Sequence, residues 1–154
     1  MKNKGYSLLE LIFTLAILGI LMSIVVPNFS DYYRSLNTSE FADRLTMDIS
    51  YARDYTSARG KNLQCLFDKD EHTYSFVVDP DGTDEPLFLP STSTTEGSLP
   101  PSFTMAFEGD SPLEVTFTEQ GIPVVDENIT LTITGGGVTR TITIDHKTGL
   151  VTLE

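Results

Sequence analysis

At 154 residues the chain has room for one modest domain beyond whatever its first residues do. Its 40% hydrophobic and 21% charged residues are a folded protein's composition and exclude disorder as the starting expectation. A formal charge of -12 repels phosphate backbones, which argues against broad nucleic-acid binding, and the single Cys65 excludes an internal disulfide.

The first element is an apolar run over residues 11–26, extended backwards by residues 6–9, with Glu10 as its only charge. As a helix this stretch meets the roughly 20 residues a bilayer span requires. Lys2 and Lys4 in front predict a cytoplasmic N-terminus with the remainder of the chain outside. A secretory signal would place small residues after its apolar region. Here the small residue, Gly5, comes before it, so a cut at Gly5 leaves the apolar helix on the mature protein. Removing Lys2 and Lys4 with such a leader takes the side-chain charge from -12 to -14. A carboxylate inside an apolar helix is costly and is usually functional. After cleavage Tyr6 carries a new amine about one helical turn from Glu10, so the two can neutralise each other within a chain or between neighbours. The alternative is a Glu10 that reaches into lipid headgroups, and the residue alone leaves both readings open.

The string Lys4-Gly5-Tyr6-Ser7-Leu8-Leu9-Glu10-Leu11, followed by an apolar run that closes with Pro27-Asn28-Phe29, resembles the class III signal of type IV prepilins. The resemblance implies cleavage after Gly5 by a membrane prepilin peptidase and N-methylation of Tyr6. It also implies an assembly role for Glu10 and a helix bend at Pro27.

Beyond Pro27, Phe41, Leu45, Ile49, Ala52 and Tyr55 recur at spacings of three and four, which predicts an amphipathic helix lying on a core. Asp43, Asp48, Arg53 and Asp54 are expected on other faces, Thr38-Ser39 marks a second weak point, and Gly60 is the expected C-terminal cap. One helix over about residues 7–59 follows. Strands are expected at 62–67 and 73–78 around the turn Asp68-Lys69-Asp70-Glu71, at 114–117, at 129–134, from Val138 to Ile144 after the turn Gly135-Gly136-Gly137, and at 150–153. Residues 90–102 are rich in Ser, Thr and Pro and read as a surface loop. The fold class is α+β, a long N-terminal helix packed on antiparallel sheet. The predicted organisation is a leader at 1–5, a membrane or filament-core helix at 6–27, its amphipathic second half at 28–60, and an extracytoplasmic β-rich domain at 61–154.

Pro27-Asn28-Phe29, Tyr51-Ala52-Arg53, Ala58-Arg59-Gly60 and Gln64-Cys65-Leu66-Phe67 together look like the GspH/FimT group of minor pilins and pseudopilins. The resemblance implies a type IV pilin-like fold and a non-enzymatic subunit that initiates or caps a filament of a type II secretion system or a type IV pilus. The implied partners are other pilins, the prepilin peptidase and the inner membrane. The alternative is a tip module that captures DNA, a surface or cargo. Some FimT-like proteins bind DNA through a basic C-terminal region, whereas residues 143–154 here offer Lys147 against Asp145 and Glu154.

The loop Asp79-Pro80-Asp81-Gly82-Thr83-Asp84-Glu85 is also similar to one in many members of the group. Asp79, Asp81, Asp84 and Glu85 supply hard oxygen ligands at a spacing that suits calcium, but a full site needs six to eight oxygens, and Asp-Gly pairs are common turn formers. No other cofactor is expected. His72 and His146 read as isolated surface histidines, and Arg53, Arg59, Lys61 and Arg140 as solvated charges or local ion pairs. In a folded domain the thiol of Cys65 is expected in the core rather than as an intermolecular partner.

Overall fold

The computed structural model describes residues 7–80 and 82–154; within it, the side chains of residues 24–31 and 34 are not described. A single helix, α1, runs without interruption from Leu8 to Arg59. Ser7 stands before it in an extended conformation, and its hydroxyl oxygen accepts the Leu9 N–H at 3.3 Å, so a donor of the first turn is satisfied. At the other end Gly60 adopts φ 61°, and its N–H donates to the Thr56 carbonyl at 2.8 Å. This left-handed cap costs a glycine almost nothing and would strain a residue with a Cβ. The weak point expected at Thr38-Ser39 is not a break. Thr38 is buried, and the Ser39 hydroxyl accepts from the Arg140 guanidinium at 3.1 and 3.2 Å.

Nine strands follow among the described residues: β1 Leu63–Asp68, β2 Thr73–Val78, β3 Glu85–Pro86, β4 Glu96–Ser98, β5 Thr104–Ala106, β6 Leu113–Phe117, β7 Ile129–Gly135, β8 Val138–Ile144 and β9 Val151–Leu153. They form two antiparallel sheets. In the first, the order is β3-β2-β1-β6, and β4 shares the outer edge of β2 with β3. In the second, the order is β5-β7-β8-β9. The glycine run turns as expected: Gly135 ends β7, and Gly136 and Gly137 lie at φ 56° and 76° before Val138 opens β8.

Strand alternation builds the core. Cys65, Phe67, Phe76, Val115 and Phe117 of the first sheet, and Leu131, Ile133, Ile142 and Ile144 of the second, are buried with Leu45, Ile49 and Ala52 of α1. Each large apolar side chain so buried contributes roughly 1.5–3 kcal/mol. Phe41 and Tyr55 of the expected stripe are partly buried at its ends. The helix packs on β7, β8 and β9 of the second sheet and on β1 of the first, so it bridges both.

Two sequence expectations need correction here. Residues 90–102 are not a plain surface loop. They include β4, and the chain on either side brings Leu89, Leu99 and Phe103 into the core. Asp48 does not face solvent; it is fully buried.

Candidate functional site

The first half of α1 is unlike the rest of the protein. Leu8, Leu9, Leu11, Ile12, Phe13, Leu15, Ile17, Leu18, Ile20, Leu21 and Met22 are all exposed, at 48–76%. These residues cover every side of the helix. A helix that is apolar all round is stable only when something apolar surrounds it, whether lipid or other helices. Thr14 and Ser23 turn their hydroxyls back onto the Leu11 and Ile20 carbonyls, so the polar groups of the run are satisfied within the helix. Glu10 lies in the first turn, exposed, at the end where the helix dipole favours a negative charge. It is the acidic residue in this otherwise apolar surface.

Among the described residues no helix is long and apolar enough to cross a membrane. The described apolar side chains lie within residues 8–22, about 22 Å of helix against a hydrocarbon core of about 30 Å. In the sequence the run continues through Ile24, Val25 and Val26. Gly5 and Tyr6, the expected cleavage and methylation positions, lie outside the described residues, as does the side chain of Pro27.

The acidic loop is a tight turn. Asp79 and Asp84 have left-handed backbones at φ 57° and 47°. The Asp79 carbonyl accepts the N–H of Gly82 at 2.9 Å and of Asp84 at 3.3 Å. The Asp79 carboxylate is 3.7 Å from the Lys61 ammonium, and Glu85 is exposed on β3. A Cβ at position 82 would stand 2.7 Å from the Asp79 carboxylate, a part-exposed side-chain end that is free to turn aside. Among the described residues no group of three or more metal-ligating side chains gathers; Asp81 lies outside them.

Most of the other candidates have structural partners. The Arg53 guanidinium pairs with Asp54, and Arg59 lies over the Tyr55 ring at 5.7 Å. The His146 ring meets the Asn128 side-chain oxygen at 2.7 Å. His72 departs from the expected solvated surface residue: it has a left-handed backbone, and its Nδ1 is buried without a hydrogen-bond partner. Cys65 is buried, and burial pushes its thiol well above its usual range.

Sequence reasoning missed the network around Asp48. Its carboxylate accepts from the Tyr74 hydroxyl at 2.9 Å, from the Ser91 N–H at 3.1 Å and from the Ser91 hydroxyl. The Tyr74 ring reaches it across β4 at Gly97, where a Cβ would fall 2.1 Å from the ring. One signal was present in the sequence. Asp48 sits between Leu45 and Ile49 on the buried stripe, whereas Asp43 and Asp54 do not.

Comparison with known proteins places this geometry. Residues 1–26 match the family model of the prokaryotic N-terminal methylation motif. No curated protein sequence matches the chain. Among solved structures, the chain is similar to the type IV minor pilin FimU of Pseudomonas aeruginosa, with a TM-score of 0.59 and 20% identity over 77% of this chain and 88% of that one. It is also similar to the minor pseudopilin EpsH of the type 2 secretion system of Vibrio cholerae, with a TM-score of 0.57 and 15% identity over 77% of this chain and 94% of that one. The expected α+β architecture is therefore the type IV pilin-like fold, reached at low sequence identity.

Proposed function

We propose that this chain is a minor pilin or pseudopilin, a non-enzymatic subunit anchored in the membrane and built into a filament through the first half of α1. The observation that carries the reading is the conjunction of a methylation motif over residues 1–26 with a helix that is apolar on every side there and packed on a pilin-like domain further on. Prepilin peptidase cuts after Gly5, and Tyr6 is the N-methylated first residue. The subunit waits in the inner membrane, N-terminus cytoplasmic and globular domain outside. It then moves its apolar helix from lipid to the surfaces of other subunits' helices. That exchange of one apolar surrounding for another is nearly neutral, so a specific contact must set its direction and register. Glu10 supplies one by pairing with the amine of a Tyr6.

Gene deletion tests the role, with secreted enzymes, surface pili and DNA uptake assayed side by side. Loss of secretion with intact pili assigns the subunit to a type II system. Loss of pili or uptake with normal secretion assigns it to a type IV pilus. No effect on any of the three refutes the filament role.

A further inference from the structure

Three tripeptides of the chain have the form Asn-x-Ser or Asn-x-Thr with x other than proline: Asn28-Phe29-Ser30, Asn37-Thr38-Ser39 and Asn128-Ile129-Thr130. In a domain outside the cytoplasm this pattern is the acceptor signal for an N-linked glycan. The structure separates the three. Asn28 and Asn37 lie within α1, where the backbone is tied into the helix. Thr38 is buried, and the Ser39 hydroxyl is committed: it donates to the Ser35 carbonyl at 3.2 Å and accepts from Arg140.

Asn128 is presented differently. It stands immediately before β7, and both Asn128 and Thr130 are exposed. Strand alternation sets this: Leu131 and Ile133 point into the core, so Thr130, with Asn128 in phase, points away from it. β5 pairs with β7 only from Thr132 to Thr134. The backbone at Ile129 and Thr130 therefore has β8 on one side and an open hollow of about 760 Å³ on the other. The Asn128 Oδ1 accepts the His146 N–H at 3.0 Å and meets the His146 ring Nδ1 at 2.7 Å. The amide nitrogen Nδ2 makes neither of these contacts. A glycan replaces one hydrogen on Nδ2 and leaves Oδ1 intact, so both contacts survive its attachment.

We propose that Asn128 is an N-glycosylation site, with the Thr130 hydroxyl as the group by which the transferase recognises it. The donor class is an oligosaccharide linked to a polyprenyl pyrophosphate, transferred by a membrane oligosaccharyltransferase. Nδ2 forms a bond to the anomeric carbon and gives up one proton. The bond from that carbon to the pyrophosphate oxygen breaks, and its electron pair leaves with the pyrophosphate, so no oxidant or reductant is needed. Asp126, two positions before Asn128, is an exposed carboxylate, a feature that bacterial transferases of this kind favour. Because α1 packs on the core side of β7, the glycan projects from the other side of the sheet and leaves the apolar half of the helix free to assemble. The site rests on the function proposed above in one respect, that the domain lies outside.

The protein is purified from the membranes of the cells that make it, and its asparagine-containing peptides are sequenced by mass spectrometry with a fragmentation that keeps glycans attached. A glycan on Asn128, and none on Asn28 or Asn37, is expected. The added mass should be lost in Asn128→Gln and in Thr130→Val and kept in Thr130→Ser. Thr130 is exposed, so both of its variants should keep the wild-type unfolding midpoint, which separates a lost acceptor from a lost fold. A glycan that persists in Thr130→Val, or one carried on Asn37 in place of Asn128, overturns the proposal. Protease added to spheroplasts of the same cells reports where the domain lies. A domain that is cleaved while Asn128 is unmodified overturns the glycosylation site alone. A domain protected from protease overturns the membrane orientation proposed above, and the site with it.

Discussion

Asp48 enters the interior with two hydroxyls and a backbone N–H aimed at it, so its charge is compensated by hydrogen bonds. Asp48→Ala leaves the Tyr74 and Ser91 donors buried without an acceptor and should destabilise the protein by about 3 kcal/mol in urea denaturation. Burial first, and the Asp48 charge second, push the Tyr74 phenol well above its ordinary 10.0. A raised phenol value means that the fold favours the neutral form. That contribution is complete below pH 10 and is lost as pH rises through the folded value. The Tyr74 ring should therefore ionise late in an alkaline absorbance titration, and Tyr74→Phe should remove the late step. At the acid end, the backbone N–H groups of Glu71 and Asp70 hold the Asp68 carboxyl below its ordinary 3.8. The hydroxyl and N–H of Thr148 do the same for Asp145. Both groups stabilise the fold above the ordinary Asp value and stop doing so as pH falls through their lowered ones. Asp68→Asn should accordingly flatten the acid limb of the stability profile.

At the scale of elements, α1 is where sequence and structure agree best. The stripe from Leu45 to Ala52 and Gly60 each state a local rule, a 3.6-residue period and a left-handed stop, which tertiary contacts only reinforce. Gly60→Ala should cost about 1 kcal/mol through its positive φ, and Ile49→Ala about 2–5 kcal/mol through the cavity it leaves, both read by thermal or chemical unfolding. Strands β1, β2, β6, β7, β8 and β9 were legible from alternation and turn residues. Strands β3, β4 and β5 were not, because they are two or three residues long in Pro-, Ser- and Thr-rich sequence. They are strands only because β2 and β7 offer them an edge, a tertiary effect that no local pattern encodes. The candidate site divides in the same way. Glu10 and its apolar surroundings can be read from the string itself, whereas the network around Asp48 joins α1, β2 and the chain at Ser91 and exists only after folding. Glu10→Ala leaves the helix intact, so it should be processed normally yet enter filaments poorly, as judged by subunit content after shearing; wild-type incorporation would remove Glu10 from the assembly mechanism.

Considered whole, the molecule is an acidic two-sheet domain mounted on an apolar rod, and the two parts make opposite demands on their surroundings. The domain holds together at a corner where two turns meet the helix. Gly121 follows the first sheet, Gly149 joins β8 to β9, and a Cβ on Gly149 would fall 2.0 Å from the Gly121 carbonyl oxygen and 3.3 Å from the Arg53 side chain. Gly149→Ala should therefore loosen both sheets from α1 at once and cost more than Gly60→Ala in the same unfolding experiment. The unbroken helix has a mechanical counterpart. Its 52 residues make a strut of about 78 Å, and the cap at Gly60 leaves only Lys61 and Asn62 before β1 begins. A pull on the domain is delivered to the apolar end along one helix, whose hydrogen-bond ladder lacks the donor of Pro27, with no slack linker to absorb it. Tension at the surface of a filament would then be felt at its axis, and the subunit would behave as a rigid lever rather than a tethered bead.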